Sequence, residues 1–190
     1  MAFATGLVQQ AHINRTKGAI MGIGETETRH MIWALTSIWQ VDPFGGSIDT
    51  SFPYANLILD ATNRFITPGT CPPSNPEYPS PSRHLPQLLL PGNVTAGNIT
   101  FVFEKGSSGV EMPSWEEGRE YYVVFFHGVE VISVPFEVET NSTVFPSEIE
   151  LKGIILAVIA DEVDAPTEES VVAGPAFILE QPAILAASGL

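Results

Sequence analysis

The stretch Ile99-Thr100-Phe101-Val102-Phe103-Glu104 decides the fold class, because Ile99, Phe101 and Phe103 alternate with Thr100, Val102 and Glu104. A repeat of two puts the three large side chains on one face of a strand. Upstream of Pro91 the apolar residues recur instead at spacings of three and four, the signature of helices. The chain therefore reads as α+β, helical first and strand-rich afterwards. Its boundaries are expected at 1–66 for the helical region, 67–91 for a proline-rich connector and 92–190 for an acidic β-rich domain.

Downstream, Tyr121 to Phe126 is apolar at every position, and Ile132, Val134, Phe136 and Val138 alternate with Ser133, Pro135 and Glu137. Ile154 to Ala160 is a continuous apolar run. The acidic loop Asp161 to Ser170 then separates it from Val171 to Leu179, so the two runs predict a hairpin. Pro175 cannot donate to a ladder, which confines its strand to an edge or a bulge. Short strands joined by Gly, Pro and Asn without intervening helices predict an antiparallel, sandwich-like arrangement.

Upstream, residues 3–13 predict a short helix, and a longer one runs from Arg15 to about Gln40 with Asn14 as its cap. Ile20, Ile23, Glu27, His30, Met31, Ala34 and Ile38 share one face, which is expected to turn inward with two polar side chains in its middle. A further helical pattern begins at Phe52-Pro53-Tyr54 and ends near Phe65. Between 67 and 86 the seven prolines exclude helix and sheet interior alike.

Charge narrows the partners. The formal net charge is -14, and no cluster of Lys or Arg interrupts the acidic surface, so nucleic acid is not an expected partner. No apolar run is long enough to predict a membrane span. The first residues lack the basic start of a signal peptide, which taken alone favours the cytosol. The asparagines point the other way, since Asn14, Asn93, Asn98 and Asn141 each open an N-x-Ser/Thr triplet, the acceptor motif of secreted glycoproteins. The alternative is that Asn14 caps a helix and the others sit in turns. Cys71, the single cysteine, has no disulfide partner within the chain.

Glu27-Thr28-Arg29-His30 is the sharpest chemical signal. A carboxylate and an imidazole three residues apart on a helix point the same way, and ferritin-like di-iron and di-manganese bundles use this unit twice, with a further Glu from each of two other helices. One unit is two of the six ligands of such a set. His12, His84 and His127 share no spacing, the acidic loop lacks the ligand order of a calcium loop, and no serine has a nucleophile-elbow setting. No catalytic residue is expected.

Gly24-Glu25-Thr26-Glu27-Thr28-Arg29-His30, Asp42-Pro43-Phe44-Gly45-Gly46, Phe52-Pro53-Tyr54-Ala55-Asn56, Asp60-Ala61-Thr62-Asn63 and the loop Pro68-Gly69-Thr70-Cys71-Pro72 to Tyr78-Pro79-Ser80-Pro81 together resemble the fungal stress-response family known as Rds1-like. That family resembles the desiccation-related ferritin-like proteins. The resemblance spans about Ile20 to Leu88 and implies the remnant of a ferritin-like helical bundle. It also implies an extracellular or cell-wall location for full-length members, which carry a leader and further helices. Only Glu27 and His30 match the metal motif, with iron or manganese as the implied metal. This chain is accordingly expected to be a stress-associated, non-catalytic form with an incomplete site. The alternative is a metal-binding or iron-oxidising homo-oligomer in which two Glu27/His30 pairs meet across a two-fold axis.

Overall fold

The computed structural model of the chain describes residues 2–44, 50–62, 65, 67, 69–70, 72–74, 83, 85–91, 94, 97–104 and 112–179. Three α-helices come first: α1 (Ala2–Gln10), α2 (Asn14–Trp33) and α3 (Ala55–Thr62). A π-helical turn, Ala34–Trp39, extends α2 and ends at Gln40, whose backbone is left-handed. Thr36 contributes to the change of winding, since its hydroxyl donates to the Ile32 carbonyl (2.8 Å) and lies 3.3 Å from that of Trp33, in competition with the regular ladder.

Among the described residues eight strands follow: β1 (Gln87–Leu89), β2 (Asn98–Thr100), β3 (Val102–Glu104), β4 (Tyr122–His127), β5 (Glu130–Pro135), β6 (Ser142–Val144), β7 (Ile154–Ala160) and β8 (Val171–Leu179). Four of them make one antiparallel sheet in the order β5-β4-β7-β8, while β1 pairs with β3 and β2 with β6. The alternating run Ile99 to Glu104 is thus split between two partners. Ile99 and Phe101 are buried as their period requires.

The four-stranded sheet is the middle of the molecule. On one face Val123, Phe125, Ile155, Ala157 and Ile159 pack against Leu88, Phe101, Phe136, Phe145 and Ile149 from the short strands and loops. On the other face Val124, Phe126, Leu156 and Val158 pack against Phe52, Tyr54, Leu57 and Ile58 from α3 and the segment before it. Burial on both faces explains why β4 and β7 read as unbroken apolar runs. Each of these large side chains contributes roughly 1.5–3 kcal/mol through the area it removes from water. Edge-on contacts add direction, with the Phe52 and Phe126 rings 5.0 Å apart and nearly perpendicular.

In the β7–β8 ladder Ala157 faces Ala176 and Ile159 faces Ala173, so three steps on β8 answer two on β7. The surplus falls at Gly174-Pro175. Proline sits where no ladder donor is needed, on the outer strand and at a bulge. Gly174 has φ +112, and a Cβ there would lie 3.1 Å from the Ala157 carbonyl, so the position requires glycine.

Three differences from the sequence reading concern α2. Asn14 is its first helical residue and not its cap; Ile13 precedes it without a side-chain cap bond. The regular α-helix stops at Trp33, ahead of the π-helical turn. The expected inward stripe is also misplaced. Ile23 and Ile38 are 60% and 58% exposed, and the one buried residue of α2 is Gly24. Ile20, Gly24 and Thr28 border the groove against Ala4, Thr5 and Val8 of α1, so a glycine-lined approach decided the packing face and the largest side chains did not. Cys71, His84 and Asn93 lie outside the described residues.

Candidate functional site

Threonines steady the turn that carries the Glu-x-x-His unit: Thr26 donates to the Gly22 carbonyl and Thr28 to that of Gly24, each at 3.1 Å. Arg29 donates to the Thr26 hydroxyl at 3.1 Å. Beyond them the Glu27 carboxylate lies 3.5 Å from Nδ1 of His30, with the side chains 56% and 71% exposed. The spacing brings the two groups together as expected. Their direction is a correction, because both point away from the chain's own interior, and the apolar contacts meant to enclose them are made by the Gly24 face instead. At 3.5 Å and in water the pair is a weak interaction.

A closed two-metal centre of the ferritin-like kind needs carboxylates from other helices as well as two such units. Among the described residues no group of three His, Cys, Asp or Glu side chains gathers around a common point. Glu27 and His30 therefore do not by themselves fit a two-metal centre.

The asparagines separate by environment. Asn14 and Asn98 are exposed, at the start of α2 and of β2. Asn141 is half-buried with φ 51, its backbone carbonyl accepts from Phe101 N at 2.8 Å, and its Oδ1 is buried without a protein donor. His12 is exposed, and His127 donates through Nε2 to the Lys152 carbonyl at 3.0 Å, a structural contact.

The acidic loop between β7 and β8 is tied down residue by residue. Arg119 donates to the Asp161 carboxylate at 2.7 Å. Ser133 and Asp164 exchange two bonds of 2.8 Å, and Asn56 donates to the Glu168 carboxylate at 3.2 Å. Arg83 donates to the Glu168 carbonyl, and the buried Tyr54 hydroxyl donates to that of Ala165. Burial first, then the nearby Glu168 and Glu169 charges, push the Tyr54 hydroxyl up to about 12. Apart from Oδ1 of Asp161, which is buried without a protein donor, these acids have their own partners or face water, which is the arrangement of an ordered turn.

Sequence reasoning missed a concave feature. Where the π-helical turn, the start of α1 and the ends of β7 and β8 meet, an apolar cavity of about 330 Å³ opens to solvent. Its walls come from segments as far apart as Phe3, Trp39 and Phe177, so no local pattern announces it. Among the described residues no helix is long and apolar enough to cross a membrane. Comparison of the chain with known protein families and with curated proteins gives no match.

Proposed function

We propose that this chain is a non-catalytic, stress-associated protein of the ferritin-like type, in which one helix presents two ligands of an incomplete metal-ligand set beside a β-rich domain. The observation that supports it is the Glu27–His30 pair: the two side chains meet at 3.5 Å on a helix whose sequence resembles the metal helix of that group. The finer architecture we infer is a sandwich, with the four-stranded sheet facing the two short sheets across the cluster of Phe101, Phe125, Phe136 and Phe145. The exposed Asn14 and Asn98 suit a glycosylated protein of the secretory route, whereas the setting of Asn141 does not favour an attached sugar.

A second reading, a metal-binding or iron-oxidising homo-oligomer, draws on the exposure of both ligands, which leaves them open to a second copy. Titration with Mn(II) and with Fe(II) under anaerobic conditions, read alongside the mass in solution, separates the two. The first reading expects a monomer with less than about one metal per two chains. Two metals per dimer, lost in Glu27→Ala together with the dimer, would establish the second. Complete folding of this chain in chelator supports the first, because a metal-built core would lose stability there.

A further inference from the structure

The cavity between the π-helical turn and the ends of the sheet has a chemistry of its own. Leu35 and Trp39 wall it from the helix side, Phe3 from α1, and Ile154 and Phe177 from the sheet. Phe3 and Phe177 remain 37% and 44% exposed, so part of this apolar surface still meets water. At about 330 Å³ it lies within the range of small-molecule sites. That is roughly twice the ~150 Å³ of a dry cavity that takes one benzene ring, room for an apolar body of about ten carbons.

Two polar side chains border it. Thr50 is already committed, since its hydroxyl donates to the Ile154 carbonyl and accepts from Gly128 N at 3.2 Å. Among the described residues Asp42 is the one ionisable residue in the lining, and no Lys, Arg or His accompanies it there. One of its carboxylate oxygens accepts from Phe44 N at 2.9 Å, which fixes the group in a tight turn. Asp42 is itself exposed, so the carboxylate stands at the rim. A fatty acid would bring its anionic head to this carboxylate on a protein of net charge -14, with no base to meet it. A cationic head meets the opposite sign.

We propose that this cavity is a binding site for a lipophilic amine, its apolar body held between Leu35, Trp39 and Phe177 and its protonated amino group at the Asp42 carboxylate. The site does not involve Glu27 or His30 and stands whether or not they bind metal.

Calorimetric titration of the full chain with decylamine, decanol and decanoate, all below their aggregation concentrations, tests it, with tryptophan fluorescence as a second readout. Decylamine is expected to bind one per chain, more tightly than decanol, and decanoate least. Asp42→Asn keeps the oxygen that accepts from Phe44 N, so the turn survives. It should weaken decylamine about fivefold, the scale of one rim ion pair, and leave decanol unchanged. Leu35→Trp, which fills the space, should abolish binding of both. Decanoate binding as tightly as decylamine would overturn the proposal, as would an Asp42→Asn chain that binds the amine unchanged. Amine binding that survives in a folded Leu35→Trp chain would overturn it too, by placing the amine elsewhere on the acidic surface.

Discussion

The Tyr54 hydroxyl donates to the backbone carbonyl of Ala165, 111 residues further along the chain. This single bond joins the segment that leads into α3 to the acidic loop between β7 and β8. Tyr54 is 8% exposed, and its ring stands edge-on to Phe52 at 5.7 Å. The hydroxyl is thus one of the fastenings between the helical layer and the sheet.

Because the Tyr54 hydroxyl is held up at about 12 from an ordinary value of 10.0, its proton linkage has a definite sign. Below pH 10 folded and unfolded chains both keep the proton and the contribution is constant. Between about 10 and 12 the unfolded chain releases it first, so stability falls as pH rises, at up to about 1.4 kcal/mol per pH unit. Tyr54→Phe should remove that slope and the latest step of the tyrosinate absorbance titration. At neutral pH it should cost about 1–3 kcal/mol, since the Ala165 carbonyl loses its donor. An unchanged titration in the variant would mean that another tyrosine ionises last.

Thr50 makes a second fastening. It is 1% exposed and joins the Ile154 carbonyl to the Gly128 amide, while Ser51 N donates to the Gly128 carbonyl at 2.7 Å. Thr50→Val keeps the shape and deletes both hydroxyl bonds, stranding one partly buried donor and one partly buried acceptor. The expected cost is about 1–3 kcal/mol, read as a lower urea midpoint with an unchanged m value. Thr50→Ser, which keeps the hydroxyl, should recover most of the loss.

Gly6 marks a close approach of α1 to the start of α3. A Cβ on it would lie 2.6 Å from the Ala55 amide nitrogen and 3.0 Å from the Phe52 carbonyl, both rigid backbone. Gly6→Ala must therefore move α1 away from α3, against the normal helix preference for alanine. Overpacking of this kind costs about 1–3 kcal/mol. Gly18→Ala, where the added Cβ meets nothing, should instead stabilise by up to about 1 kcal/mol. The two variants compared by thermal unfolding give opposite signs.

How much of this was legible follows from the range of each contact. β4, β5, β7 and β8 were readable because a strand writes its burial locally, as alternation in Ile132 and Val134 or as an unbroken run at Ile154 to Ala160. Pro175 announced its bulge for the same reason. Thr50, Asp42 and the cavity were silent, since their partners lie on other elements far along the chain. The Glu27–His30 pairing was legible from helical spacing, but its direction was not, because spacing fixes which residues share a face and leaves open which face is covered. On α2 that choice fell to Gly24, a residue with no hydrophobic signal of its own.

Ile23 puts that last point to the test. If the spacing-based stripe were the core face, Ile23→Ala would open a cavity and cost about 2–5 kcal/mol. With Ile23 60% exposed, the loss should stay within about 0.5 kcal/mol, as for surface substitutions. Leu156→Ala, at a position of 0% exposure packed between β4 and α3, supplies the contrast and should cost about 2–5 kcal/mol. Urea unfolding of both variants should be run at two protein concentrations. A loss for Ile23→Ala that grows with concentration would show that a second copy covers this face, since association stabilises by mass action. A large loss independent of concentration would mean that α2 is rotated relative to the packing described here, carrying Glu27 and His30 inward with Ile23.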